Sequence, residues 1–267
     1  MLRLPAIVLT IWCLSSAQLV AQPGSPYQVN WVKDGLVAAG GIGMTVAGST
    51  LILNKDRLTE ADLVGLNRND VNRFDRFAAG NYSQRAEEIS DIPFYGSFVA
   101  PLFLLLHEGV REDAPQVYLL YGQAMSLAGG LYSLTTGLVN RKRPNVYATD
   151  APLEVRLHKY ATNSFYAGHT AATASATFFA AKVFHDFNPD SPARPYIWAA
   201  AAVIPATVGY LRLRAGKHFL SDNIIGYTLG AGIGILVPQL HKKQDASWSL
   251  YPVKTFEYEG AAVSYRF

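Results

Sequence analysis

Cysteine is nearly absent. The 267 residues include one, Cys13, and it lies in the first apolar run, so the chain beyond that run carries no thiol. Disulfides, thiolate catalysis and cysteine-ligated metals are excluded together. Charge is scarce as well: Asp, Glu, Lys and Arg make up 16% of the sequence, against about a quarter in an ordinary soluble domain. A net charge of +3, with no aromatic-basic platform, argues against a nucleic-acid partner. There is no internal repeat, no low-complexity segment and no familiar metal-ligand spacing, so neither a metal nor another cofactor is expected. What fills the space is apolar: half of the residues are hydrophobic and mean hydropathy is +0.11.

The first apolar run reads as an export signal. Arg3 gives a short positive start, 4–14 are apolar, and small residues follow, with cleavage expected after Ala17 or Ala21. The run is too short to cross a bilayer, which takes about 20 apolar residues. Residues 1–21 are therefore expected to be removed and the mature chain to be exported, periplasmic or membrane-associated.

Later apolar runs at 35–53, 93–107, 116–139, 169–184, 196–213 and 223–240 predict an all-α protein, an antiparallel bundle of about six long helices. Residues 54–91 mix charges of both signs. There Leu63, Leu66, Val71, Phe74 and Phe77 keep a rough helical spacing, which predicts one or two short amphipathic helices. Thr59 with Asp62, and Ser90 with Pro93, have the form of helix starts. Near the C-terminus, 247–251 and 261–267 read as strands of a small β-hairpin. The resulting map is a signal at 1–21, an N-terminal helix and amphipathic segment at 22–92, the bundle at 93–241 and a hairpin tail at 242–267.

Three polar clusters interrupt the apolar runs: Arg141-Lys142-Arg143-Pro144, Ser164 to His169, and Arg212 with His218 and Asp222. Each stands at a helix end. In an antiparallel bundle the end of the third run, the start of the fourth and the join between fifth and sixth face the same way, so the clusters should converge. His218 and Asp222 are four apart, the spacing of one helix face, and a carboxylate there would orient the imidazole. Two guanidiniums, two imidazoles and a carboxylate describe a phosphate site with a nucleophile and an acid. His107, His158, His185 and His241 lack such company and are expected to be hydrogen-bonded packing.

The blocks Arg143-Pro144, Gly168-His169 and Arg212-x5-His218-x3-Asp222, in that order, resemble the type 2 phosphatidic acid phosphatase superfamily, which includes class A acid phosphatases and vanadium haloperoxidases. The resemblance covers about 93–240. It implies a metal-independent phosphatase in which His218 attacks phosphorus and Asp222 fixes its tautomer. His169 would protonate the leaving oxygen and later activate water. Arg143 and Arg212 would hold the non-bridging oxygens, with the Gly168 amide as a further donor. The chain departs from the family pattern at Thr136, where a lysine is expected, at Tyr166-Ala167 in place of Pro-Ser, and at Leu211 in place of a serine. Arg141 or Lys142 are the candidates to restore the lost charge. Each missing charge-assisted bond would cost roughly 1.5–3 kcal/mol, about one to two powers of ten in rate.

The activity implied is hydrolysis of a phosphomonoester or pyrophosphate, most plausibly on a lipid. Phosphatidate, phosphatidylglycerophosphate, undecaprenyl pyrophosphate and the lipid A phosphates all fit. The alternative is a degenerate, non-catalytic relative that binds phospholipid or serves as a scaffold, and the three departures are its support. A vanadate-dependent haloperoxidase is a third reading, against which the missing cation counts. Topology adds a constraint: with the signal removed, three spans before Asn140 would put the active-site end in the cytoplasm. Either one run does not span, or an exported bundle associates with a membrane, which is the expectation adopted.

Overall fold

A computed structural model describes residues 25–243 in full and the backbone of 248–254 and 259–265; the expected signal at 1–21 lies outside the described residues. In chain order the helices are α1 (Trp31–Leu53), α2 (Gln84–Val99), α3 (Glu108–Glu112), α4 (Ala114–Leu138), α5 (Leu153–Arg156), α6 (Gly168–Phe187), α7 (Arg194–Arg214) and α8 (Leu220–His241). The protein is all-helical in its bundle. At the C-terminus the backbone of Trp248–Lys254 runs antiparallel to that of Glu259–Tyr265.

α6 is the central rod. Its small residues, Ala171, Ala174, Ser175 and Ala176 among them, are buried, and α2, α4, α7 and α8 pack around it. α8 approaches it most closely, because Gly226, Gly230 and Gly234 lie against the α6-side backbone at Ala167, Ala171 and Ser175. A β-carbon at any of the three would overlap a carbonyl oxygen, so this four-residue glycine spacing sets the interhelical distance. The same device joins α1 to α4: Gly41 and Gly48 face Ser126 and Ser133, and Gly130 faces Gly41 in return. The main apolar core, with Leu120, Phe179, Val183 and Val237, gathers where Tyr27 bridges to Lys242.

The outer surface is unusually apolar. Val32, Leu36, Ile42, Val46, Ile92, Phe103, Leu106, Val203 and Leu240 are all exposed. Four helical stretches, Trp31–Leu53, Gln84–Leu106, Arg194–Arg214 and Leu220–His241, are long and apolar enough to cross a membrane. Apolar girth of this extent is matched to acyl chains rather than to water, and it associates the chain with a membrane.

Two local expectations are corrected. Residues 54–83 form 3-10 turns at Glu60–Leu63, Arg68–Asp70 and Arg76–Ala78 instead of amphipathic helices. Short side chains capture the backbone there: Asp62 accepts the Thr59 amide, Asp70 the Asn67 amide, and Asn72 accepts the Asp75 amide. Such local bonds compete with helix propagation, and Gly65 and Gly80, both at positive φ, end the turns. Nor does Ser90 start a helix. α2 begins at Gln84, capped by Ser83, and carries Pro93 inside it.

Candidate active site

The ends of α1, α4 and α7 and the starts of α2, α6 and α8 meet at one end of the bundle. The stretch after α4 is stiffened by a short parallel pairing: the Arg141 and Arg143 amides donate to the Thr162 and Ala161 carbonyls, and the Ser164 amide returns a bond to the Arg141 carbonyl. Arg143 and Ser164 are thereby fixed side by side. The turn between α7 and α8 is fixed by a different route. Gly216 sits at φ +71°, its carbonyl accepts the Asn145 amide, and a β-carbon there would overlap the Asn81 carbonyl oxygen. Only glycine meets both demands, the left-handed backbone and the close approach.

His218, on that turn, is 1% exposed. Its Nδ1 lies 2.6 Å from the Ser164 carbonyl oxygen, an atom that only accepts, so Nδ1 carries the proton and Nε2 keeps a free lone pair. Among the described residues nothing hydrogen-bonds Nε2. Burial, then the positive charges of Arg143 and Arg212, hold the His218 pKa well below the ordinary 6.5 and keep the ring neutral.

Asp222 does not touch His218, contrary to the expectation from their spacing. Its carboxylate accepts from the Ser164 hydroxyl at 2.6 Å, from the Phe219 amide at 2.8 Å and from Arg141. As part of the first turn of α8 it closes the helix N-terminus, so it reaches the imidazole only through Ser164. Arg141 is likewise not a spare cation. It bridges Asp222 to the buried Asp75, whose other partners are the Ser221 amide and hydroxyl and the Asn72 side chain. Lys142 acts on Asp62 and does not line the cavity described below.

Arg143, Arg212 and His169 all act electrostatically on His218, and the two guanidiniums also act on His169. Arg212 and His169 both approach Asp91, and Arg143 and Arg212 are near enough to both imidazoles to act on their charge. Arg212 is 5% exposed, yet its Nε has no partner among the described residues, and its Nη1 makes only a long contact of 3.3 Å to Ser90 and one of 3.7 Å to Asp91. A buried guanidinium left this open is a donor set awaiting an anion. His169, in the first turn of α6, stacks on Phe94 at 4.0 Å and stands 3.8 Å from Asp91. Burial and the two arginines depress its pKa to about 3. Gly168 precedes it at the start of α6, where the Tyr132 ring leaves no room for a β-carbon.

Beside these groups opens a cavity of about 450 Å³, lined among others by Arg143, Asn145 and Lys217 and by Glu87, Asp91 and Glu154. No group of three His, Cys, Asp or Glu side chains suited to a metal occurs among the described residues. Sequence reasoning missed Lys217, Glu87, Asp91, the Ser164 carbonyl and Asp75. Lys217 had a signal, its place next to His218; the three carboxylates lie on a segment that carries no chemical motif. Thr136, at the family lysine position, is buried and donates its hydroxyl to the Phe165 carbonyl. The other histidines are partnered as packing groups at two positions: His241 holds Asp34 and the Val237 carbonyl, and His185 meets Arg194 and Trp198.

No curated protein sequence matches the chain. Among solved structures it is similar to the first transmembrane PAP2 type phosphatidylglycerolphosphate phosphatase from Bacillus subtilis, at 21% identity over 79% of this chain and 92% of that one, with a TM-score of 0.37. The model of the PAP2 superfamily matches residues 117–246, just under half of the chain, and that segment holds Arg143, His169, Arg212, His218 and Asp222.

Proposed function

We propose that this protein is an exported, membrane-associated phosphatase that hydrolyses a phosphomonoester or pyrophosphate, most plausibly on a lipid, through a phosphohistidine. One observation carries the reading: a buried, neutral imidazole whose Nδ1 proton is tied to a carbonyl, within electrostatic reach of Arg143 and of Arg212, whose Nε has no partner among the described residues. Arg143 and Arg212 hold the non-bridging oxygens of the phosphoryl group, with the Gly168 amide as a further donor. Nε2 of His218 forms the N–P bond as the P–O bond to the leaving group breaks, and His169 gives its proton to the departing oxygen. Water then attacks phosphorus with His169 as base, the N–P bond breaks, and phosphate leaves with both imidazoles restored.

The pKa of His169 is depressed first by burial and then by the charges of Arg212 and Arg143. A phosphate dianion offsets them and draws the ring back toward its protonated form, so substrate binding itself arms the acid. The apolar outer helices support a lipid-borne substrate, since they would hold the site at a bilayer surface.

Purified protein would be screened against phospholipids, polyprenyl pyrophosphates and soluble phosphoesters, with acid-labile phosphate trapped on the enzyme. His218→Ala should abolish turnover and trapping; undiminished turnover in that variant excludes the mechanism. The use of Thr136 for a carbonyl bond favours one rival, a non-catalytic phospholipid binder, which predicts lipid binding with no turnover on any substrate.

A further inference from the structure

We propose that Lys217 is a phosphate-binding residue, supplying at this site the cation that Thr136 does not, and that Glu87 is the counter-ion which phosphate displaces. The inference rests on the reading of the pocket as a phosphate site and deepens it.

Lys217 immediately precedes His218. Its backbone is held by its own amide donating to the Arg212 carbonyl at 3.0 Å and by the strained Gly216 before it. The side chain is 15% exposed, and the ammonium shares the cavity wall with Arg143 and Asn145. Its one ionic partner among the described residues is Glu87, at 2.7 Å, reaching across from α2. Burial is the largest influence disfavouring its charge; the bond to Glu87 opposes this, while Arg143 and Arg212 add repulsion. Three cations in mutual reach, two of them arginines with donors to spare, need an anion between them.

The other basic side chains nearby are committed elsewhere. Lys55 spends its ammonium on the Thr136 and Val139 carbonyls and on Asn163, at 2.5, 2.7 and 3.0 Å, where it closes the end of α4. Arg141 is held between Asp75 and Asp222. Lys217 alone among them lines the cavity, and Glu87, its one carboxylate partner among the described residues, lines the same cavity from α2. Glu87 and Asp91 are one helical turn apart on α2, so the first offsets Lys217 and the second approaches Arg212 and His169. A phosphoryl group entering the cavity would take over Lys217 and release Glu87.

Opposite signs at the two positions test this. With full-length protein in detergent, the affinity for inorganic phosphate would be read by calorimetry and turnover of a soluble phosphoester would be followed in parallel. Lys217→Met should weaken phosphate by roughly tenfold, the loss of one charge-assisted bond, and raise KM more than it lowers kcat. Lys217→Arg should recover most of that loss. Glu87→Gln should tighten phosphate by about threefold, because it removes a competitor worth no more than a partly exposed ion pair. Glu87→Gln stands as the test by itself if Lys217→Met does not fold. A pair with only a structural role would give weaker or unchanged phosphate binding in both variants, and that result overturns the proposal. If the unaltered protein neither binds phosphate nor turns over any ester, the reading of the site fails and this inference falls with it; if it does both and Lys217→Met is indifferent, this inference alone fails.

Discussion

Asp222→Asn distinguishes a relay from a direct contact. If the carboxylate held the imidazole itself, the amide would favour the wrong tautomer, a change that costs about 10⁴-fold in catalysis where such a contact exists. Here the Nδ1 proton is held by the Ser164 carbonyl, which no side-chain change removes. The bonds at risk are those made by Asp222. One oxygen accepts both the Ser164 hydroxyl and the Phe219 amide, and the other accepts Arg141. An asparagine can keep its carbonyl oxygen toward Ser164 and Phe219, but its amino group then opposes Arg141. The expected cost is one charge-assisted bond, roughly 1.5–3 kcal/mol of stability, with Arg141 still held by Asp75. Loosening of Ser164 then weakens the hold on His218 at second hand, for an expected fall in kcat of about ten- to a hundredfold. Steady-state turnover of a soluble phosphoester by the two variants Asp222→Asn and His218→Ala, each checked for helical content, gives the measurement. A loss in Asp222→Asn as large as that in His218→Ala would refute the relay.

Two further expectations follow from the same geometry. Because His218 is held neutral by burial and by neighbouring arginines, the active form persists as pH falls through 6.5, and the acid limb of kcat/KM that it governs should lie well below that value. The same shift has a stability sign: the unfolded chain takes up a proton near pH 6.5 while the folded ring does not, so this contribution to stability is present above 6.5 and is lost progressively as pH drops toward the folded pKa. Thermal unfolding of the protein and of His218→Ala across pH 4 to 8 checks it. The difference isolates this contribution from that of Asp222, whose pKa burial pushes up to about 6 with the opposite sign; equal changes in melting temperature in the two proteins would contradict it. Gly216→Ala should reduce stability by about 1–2 kcal/mol from the left-handed backbone alone, and by more from overlap with the Asn81 carbonyl, displacing Lys217 and His218 together. Activity should fall with stability; a variant with unchanged melting and turnover would show that the turn is not held as described.

The bundle and the meeting of the site segments were legible because each depends on one-dimensional pattern. Uncharged runs of helical length leave few alternatives to helices, and polar residues crowded at run ends mark where those helices stop. Arg143, His169, Arg212 and His218 are singled out by polar clusters at run ends together with the family resemblance that those clusters carry. The partner of His218 could not be named, because a backbone carbonyl leaves no trace in the sequence; spacing pointed instead to Asp222, which the capping demand of α8 had already claimed. Residues 54–83 misled for a related reason. Their apolar spacing was helical, but Asp62, Asp70 and Asn72 bond their own backbone and stop helix growth after a turn. The glycines of α8 stand in no chemical motif, and only their register against Ala167, Ala171 and Ser175 shows that they set how closely α8 approaches α6.

That 54–99 stretch also explains how so much positive charge is tolerated. The matched domain, 117–246, supplies Arg141, Arg143, Arg212 and Lys217 to one end of an apolar bundle, and from within itself offsets them with Asp222. Like charges gathered in a poorly solvated pocket repel strongly, and each carries a desolvation cost that only nearby anions offset. The other carboxylates that approach these cations within ion-pair distance, Asp75, Glu87 and Asp91, all precede the matched segment, while Glu154, within it, lines the same cavity. They do different work. Asp75 is buried and bound to Arg141, Asn72 and Ser221, a fixed neutralising group behind the nucleophile. Glu87 and Asp91 stand on the cavity wall with single or long contacts, so they can yield to an incoming anion. The upstream segment thus neutralises the rear of the site permanently and its mouth only until substrate arrives, which keeps the guanidiniums charged and available without leaving the empty pocket uncompensated.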